Sequence, residues 1–145
     1  MTKTHRLALA TSVLLQARVT FTRLLTLHLM PWIYAAIEDP ASALFGLDVV
    51  LDESTVHSPR EVLLGGEIRI LYDAVHGDGG RFRSLHHDGL AVDVLLFRNR
   101  DYVTDGEDPA YTEVGERWLF LSPACRWGRE IGDSGHLSLT IDKRI

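Results

Sequence analysis

Across residues 7–37 apolar side chains return at roughly helical spacing, at Leu14, Leu15, Val19, Phe21, Leu24, Leu25, Leu29, Trp32, Ile33 and Ala36. One or two helices are therefore predicted there. Pro31 falls inside the pattern; it has no backbone N–H and its ring crowds the preceding turn, so a kink or a break is expected near Met30. Asp39-Pro40 ends the stretch. Residues 47–51 are short, apolar and contain Val49-Val50, which predicts a strand. Ser58-Pro59-Arg60-Glu61 combines a capping hydroxyl, a proline at the first helical position and a glutamate three residues after the cap, the signature of a helix start. Leu64, Ile68, Leu71, Tyr72 and Val75 continue it at helical spacing, although Ile68, Ile70 and Tyr72 also alternate as a strand would. Gly77-Asp78-Gly79-Gly80 is a loop, since clustered glycines resist regular structure.

Beyond that loop the period changes. In residues 90–97, Leu90, Val92, Val94 and Leu96 fall on one face of a strand while Ala91, Asp93 and Leu95 fall on the other. Residues 136–141 repeat the arrangement, with Leu137, Leu139 and Ile141 opposite His136, Ser138 and Thr140. Between them, residues 111–121 carry Val114, Trp118 and Leu121 at helical spacing, and Pro123 stops the helix. The expected fold is α+β: N-terminal helices packed on a small antiparallel sheet whose polar face carries a site. With 145 residues and 46% hydrophobic content, one core and one domain over residues 1–145 are expected.

Charge and cysteine content narrow the chemistry. A net charge of -5 is the wrong sign for a protein that neutralises phosphates, so nucleic acid is not an expected partner. Cys125 is the single cysteine, which excludes an intrachain disulfide and any multi-thiolate zinc cluster. A metal here must be held by imidazole and carboxylate. Lys3 and Arg6 before an apolar run at residues 7–15 loosely resemble a secretory signal. No small-x-small cleavage site follows, however, and the apolar pattern continues past Arg18 and Arg23 as in an amphipathic helix. The run is too short to span a bilayer, so no stable membrane insertion is expected.

Two clusters hold the informative side chains: Ser84-Leu85-His86-His87-Asp88-Gly89-Leu90-Ala91-Val92-Asp93, and Trp127-Gly128-Arg129-Glu130-Ile131-Gly132-Asp133-Ser134-Gly135-His136. They can supply two imidazoles, a carboxylate ligand and a spare carboxylate, the count of a catalytic zinc site with three protein ligands and an open position for water. Asp93 inside an apolar strand costs several kcal/mol as an uncompensated buried charge, so a metal or a buried ion pair must offset it. Asp133 is a candidate base or an Asx-turn residue before Ser134-Gly135. Ser84 is a substrate-orienting or a simple turn hydroxyl. Trp127 is expected to pack against the site. His5, His28 and His76 receive no role.

The pattern Ser-x-His-x-x-Gly-x-Ala-x-Asp followed by Asp-x-x-His resembles the D-Ala-D-Ala carboxypeptidase and L-alanyl-D-glutamate endopeptidase family of zinc peptidases. Ser84, His86, Gly89, Ala91 and Asp93 meet every position of the first motif. The resemblance implies that His86, Asp93 and His136 bind Zn2+ and that Asp133 is the general base, with Ser84 at the substrate. It implies peptidoglycan stem peptides as the substrate. His87 is the competing ligand, but alternation would turn it away, and only His86 stands two residues after Ser84 and seven before Asp93.

Gly115-Glu116-Arg117-Trp118, Cys125-Arg126-Trp127-Gly128 and His136-Leu137-Ser138 are similar to segments of a phage endolysin subgroup. That likeness implies an enzyme made in the host cytoplasm and released to the wall through a separate membrane pore. Some positions depart from the family pattern. His57-Ser58-Pro59-Arg60 stands where an Arg-Ser/Thr-Pro turn is usual, leaving His57 or Arg60 as replacement for its arginine. Asp133 replaces the commoner glutamate, and Arg129 replaces the second glycine of a Trp-Gly-Gly turn, which could crowd the cleft. A catalytically inert wall-binding zinc module with the same ligands is the leading alternative. A His-rich nuclease is disfavoured by the acidic charge and the missing Asn-x-His pattern.

Overall fold

The computed structural model describes residues 2–52 and 89–140. The predicted helix start at Ser58, the Gly77–Gly80 loop, Ser84, His86, His87, His57, Arg60, His76 and Ile141 lie outside these residues. Within them the architecture is α+β, a long helical run laid on a small antiparallel sheet.

The helical run begins at α1 (Lys3–Arg23), where the Thr2 hydroxyl caps the first turn by accepting from the His5 amide at 3.1 Å. It passes through a π-helical segment (Leu24–Leu29) into α2 (Met30–Ala36). Of the kink or break expected near Met30, the break does not occur. The chain widens instead in the turns just before the proline, where Met30 N–H bonds the Leu25 carbonyl five residues back. A wider turn accommodates the ring and the missing donor without ending the helix. One stripe of the run is buried: Leu14, Ala17, Phe21, Leu25, Leu29, Ile33 and Ala36.

Residues 37–47 turn the chain back, with Gly46 at φ 74° and its amide bonded to the Ile37 carbonyl at 2.9 Å. The Glu113 carboxylate pins this turn by accepting from the Ser42 hydroxyl at 2.6 Å and the Ala43 amide at 3.0 Å. The sheet comprises β1 (Asp48–Asp52), β2 (Ala91–Arg98), β3 (Asp101–Tyr102), β4 (Cys125–Trp127) and β5 (His136–Leu139). Its order is β1-β2-β5-β4, with β3 also on β2. β1 begins one residue later than the 47–51 pattern predicts and runs on to include Asp52. β2 and β3 form a hairpin whose two turn residues, Asn99 and Arg100, have φ of 53° and 70°. Positive φ at both positions suits the right-handed twist of the flanking strands.

The alternation of β2 is as expected: Leu90, Val92, Val94 and Leu96 are buried against the helices. The helix α3 (Pro109–Leu121) starts two residues before the predicted 111 because Asp108 caps it, accepting from the Ala110 amide at 3.0 Å, and Pro109 occupies its first turn. The Asp108 carboxylate also pairs with Arg98 at 3.0 Å. The hydrogen bond from that guanidinium holds the carboxyl below the usual carboxylate range. The inner face of α3 buries Tyr111, Val114, Gly115 and Trp118. Trp118 meets Phe21 of α1 edge to face at 5.6 Å and donates to the Ser138 carbonyl at 2.9 Å, joining both helical layers to β5. No helix among the described residues is long and apolar enough to cross a membrane.

Candidate metal centre

The site forms where two antiparallel strands bring distant segments together. β2 and β5 pair with Asp93 directly opposite His136. Directly opposed residues share a face of the sheet, so this register puts carboxylate and imidazole side by side. Asp93 Oδ1 lies 3.6 Å from His136 Nδ1. The imidazole is 5% exposed, whereas Asp93 is half-buried.

Asp133 joins them from the turn leading into β5. A 3-10 turn (Gly128–Ile131) follows β4 and closes on Gly132, whose φ of 77° is the left-handed conformation glycine tolerates best. The Asp133 amide then bonds the Gly128 carbonyl at 2.9 Å, and the Asp133 carbonyl accepts from the His136 amide at 3.1 Å. These bonds fold the segment so that Asp133, three positions before His136, faces the same point. One ligand atom from each of Asp93, Asp133 and His136 lies within 4.8 Å of the others. Together they form a group that could hold a metal ion. Two carboxylates and an imidazole are a donor set suited to a borderline divalent cation.

Close backbone approaches fix this turn. A Cβ at Gly128 would collide with the Asp133 carbonyl oxygen and would come within 2.7 Å of His136 Cβ. The Trp127 ring lies directly on Gly115 of α3, where no Cβ fits. Its indole N–H donates to the Ser134 carbonyl at 2.7 Å. Trp127 thus packs against the site and holds its loop, as expected from the sequence. Arg129, which stands where a glycine was anticipated, does not hang free: it lies 5.4 Å over the Trp127 ring and donates to Glu107 at 3.0 Å. Glu130 is exposed and outside the close group.

The surroundings differ from expectation in one respect. The alternation predicts that the face of β5 bearing His136 is the polar one. All four residues of the strand are buried instead, His136 and Ser138 included, and Ala91 beside them is fully buried. Cys125 on β4 is also buried, and burial pushes its thiol up to about 11, which makes it an inert core residue. Of the sequence-predicted site residues, Asp93, Asp133 and His136 converge; His86 and Ser84 lie outside the described residues. Asp52 was not singled out from sequence, yet it stands directly opposite Asp93 on β1. The alternation Asp48, Val50, Asp52 marks the face of the strand it shares, though not its partner.

Comparison with protein families, curated proteins and solved structures finds no match to this chain.

Proposed function

We propose that this protein is a zinc-dependent peptidase acting on bacterial cell-wall stem peptides, at an L-alanyl-D-glutamate or a D,D bond. The observation that carries the reading is the convergence of Asp93, Asp133 and His136 from two segments far apart in sequence. These are the residues that the two sequence motifs single out independently of any structure. His86 completes the ligand set in the motif, with Ser84 two residues earlier.

Bound at this point, zinc supplies a Lewis acid for the scissile carbonyl and makes water a nucleophile near neutral pH. Asp93 and His136 would hold the metal, and the buried position of His136 restricts its ring. The Asp133 carboxylate, exposed and reachable by substrate, accepts the proton of the attacking water. It returns that proton to the amine nitrogen as the C–N bond breaks. Its backbone bonds to Gly128 and His136 fix the turn that carries it.

A second role for Asp133 has a specific observation behind it, since its oxygen falls within the same 4.8 Å as the two ligands. It would then be a fourth ligand, and the centre would bind zinc without turnover. Zinc content and hydrolysis of purified sacculi, with products identified by mass spectrometry, separate the two. Asp133→Asn should keep its zinc and lose about 100-fold or more in rate, the usual worth of a positioned base. Loss of zinc in that variant makes Asp133 a ligand. Wild-type zinc content in His136→Ala sinks the metal assignment.

A further inference from the structure

We infer that the cavity at the β4 edge of the sheet is a carboxylate-binding subsite, with Arg126 as the residue that holds the anion. The inference rests on the reading of Asp93, Asp133 and His136 as the centre of peptide hydrolysis, and names a group of the substrate held beside it. The cavity has a volume of about 400 Å³ and is lined, among the described residues, by Leu119, Arg126, Trp127, Arg129 and Glu130. It lies at the small end of the range for ligand pockets, which suits a single amino-acid residue.

Its place follows from the chain. Arg126 and Trp127 end β4, and Arg129 and Glu130 lie in the 3-10 turn that follows. Gly128 between them meets the metal centre: its carbonyl accepts from the Asp133 amide at 2.9 Å, and a Cβ there would come within 3.3 Å of His136 Cδ2. Arg126 stands opposite Ser138 in the β4–β5 register, on the face that bears His136 two residues earlier. Gly128 thus links the walls of the cavity to the metal centre.

Charge selects the ligand. Nη1 of Arg126 donates to the Pro123 carbonyl at 2.6 Å and to the Cys125 carbonyl at 3.0 Å. These bonds hold the guanidinium in place, and among the described residues no carboxylate pairs with it. Nε and Nη2 keep donors for a ligand, in the fork that matches a carboxylate. Arg129 contributes less, because it already donates to Glu107 at 3.0 Å and stacks on the Trp127 ring. Glu130 lines the cavity and Glu107 meets Arg129, so a doubly charged anion such as a phosphate monoester is repelled more than a single carboxylate. Leu119 and the Trp127 ring supply apolar walls for the small side chain next to that carboxylate. A free peptide carboxylate combines these features.

The test titrates the full chain, with zinc and stripped of it, with N-acetyl-D-alanine and with its uncharged carboxamide, following the indole N–H signals of the 3 tryptophans by NMR. Trp127 lines the cavity, and Trp32 and Trp118 do not. The acid should move the Trp127 signal alone, with or without zinc, and bind about tenfold tighter than the carboxamide. Arg126→Gln should weaken the acid by about tenfold, the scale of a charge-assisted hydrogen bond, and leave the carboxamide unchanged. Arg126→Lys, which keeps the charge and loses the fork, should fall between. A carboxamide bound as well as the acid, or an acid bound equally by Arg126→Gln, overturns the inference. A response that requires zinc also overturns it, because the carboxylate is then a metal ligand. On sacculi, Arg126→Gln should raise KM and keep kcat within a few fold, as loss of uniform binding does. An unchanged KM takes the cavity out of the substrate's path and sinks the subsite. If wild type binds the acid through Arg126 yet digests no sacculi, the hydrolase reading fails and the carboxylate pocket stands.

Discussion

The helical run and the site-bearing strand bury their residues in opposite ways. From Leu14 to Ala36 the run buries one stripe and leaves most other positions in water, with Val19 48%, Leu27 64% and Tyr34 60% exposed. β5 hides every residue on both faces, although two of its four are polar. A helix that covers a sheet needs only a strip of contact, so its outward positions are bound by little beyond helix propensity. A central strand flanked by β2 and β4 is constrained by the core on one side and by the site on the other. His136, the buried member of the candidate metal centre, sits where substitution is least tolerated.

The largest test of this contrast is Trp118→Ala, because Trp118 touches both regions, through Phe21 and through the Ser138 carbonyl. Truncating a fully buried tryptophan and losing its hydrogen bond to that carbonyl should cost about 3–5 kcal/mol in denaturant melts. If the two regions are independent, the zinc affinity of whatever remains folded should be unchanged; a joint loss shows that the helical layer sets the position of β5.

A smaller effect is expected at Tyr111, which donates to the Val103 carbonyl at 2.7 Å beneath the sheet. Tyr111→Phe should cost about 1–2 kcal/mol, one buried hydrogen bond with its acceptor left unpaired. Burial pushes the Tyr111 hydroxyl up to about 12, from an ordinary value of 10.0. The folded state thus keeps a proton that the unfolded chain releases. Its stabilisation is fully present below pH 10 and is lost as pH rises toward 12. Melts across that alkaline window should fall more steeply for wild type than for Tyr111→Phe; parallel curves would show that another group governs the transition.

The smallest effect belongs to the outward helix face. Leu9→Gln should change stability by no more than about 0.5 kcal/mol, as exposed positions do. A larger loss would mean that this side chain is covered in solution and that the helix is less free than its exposure indicates.

Much of the fold was legible along the chain because the relevant physics is local. The alternation of Leu90, Val92, Val94 and Leu96 required only the two-residue period of a strand. The stripe of Val114 and Trp118, with Pro123 beyond it, needed only the period of a helix. The candidate ligands Asp93 and His136 and the candidate base Asp133 were visible for a related reason: charged or polar side chains within apolar strands, or beside glycine turns, stand out from their neighbours.

What tertiary structure alone decided concerns partners. Pro31 by itself predicts a kink or a break near Met30; packing of Leu25, Leu29 and Ile33 on the core holds the helix together through a π-helical segment. His136, Ser138 and Thr140 mark a polar face of β5, and only the packed neighbours reveal that its His136 and Ser138 are buried. Asp52 went unassigned because strand register is a relation between two segments. Pairing it with Asp93 depends on how β1 and β2 align, and a shift of one residue would turn its side chain to the other face. Periodicity along one strand carries no information about that alignment, so the residues that meet across strands become known only when the sheet is assembled.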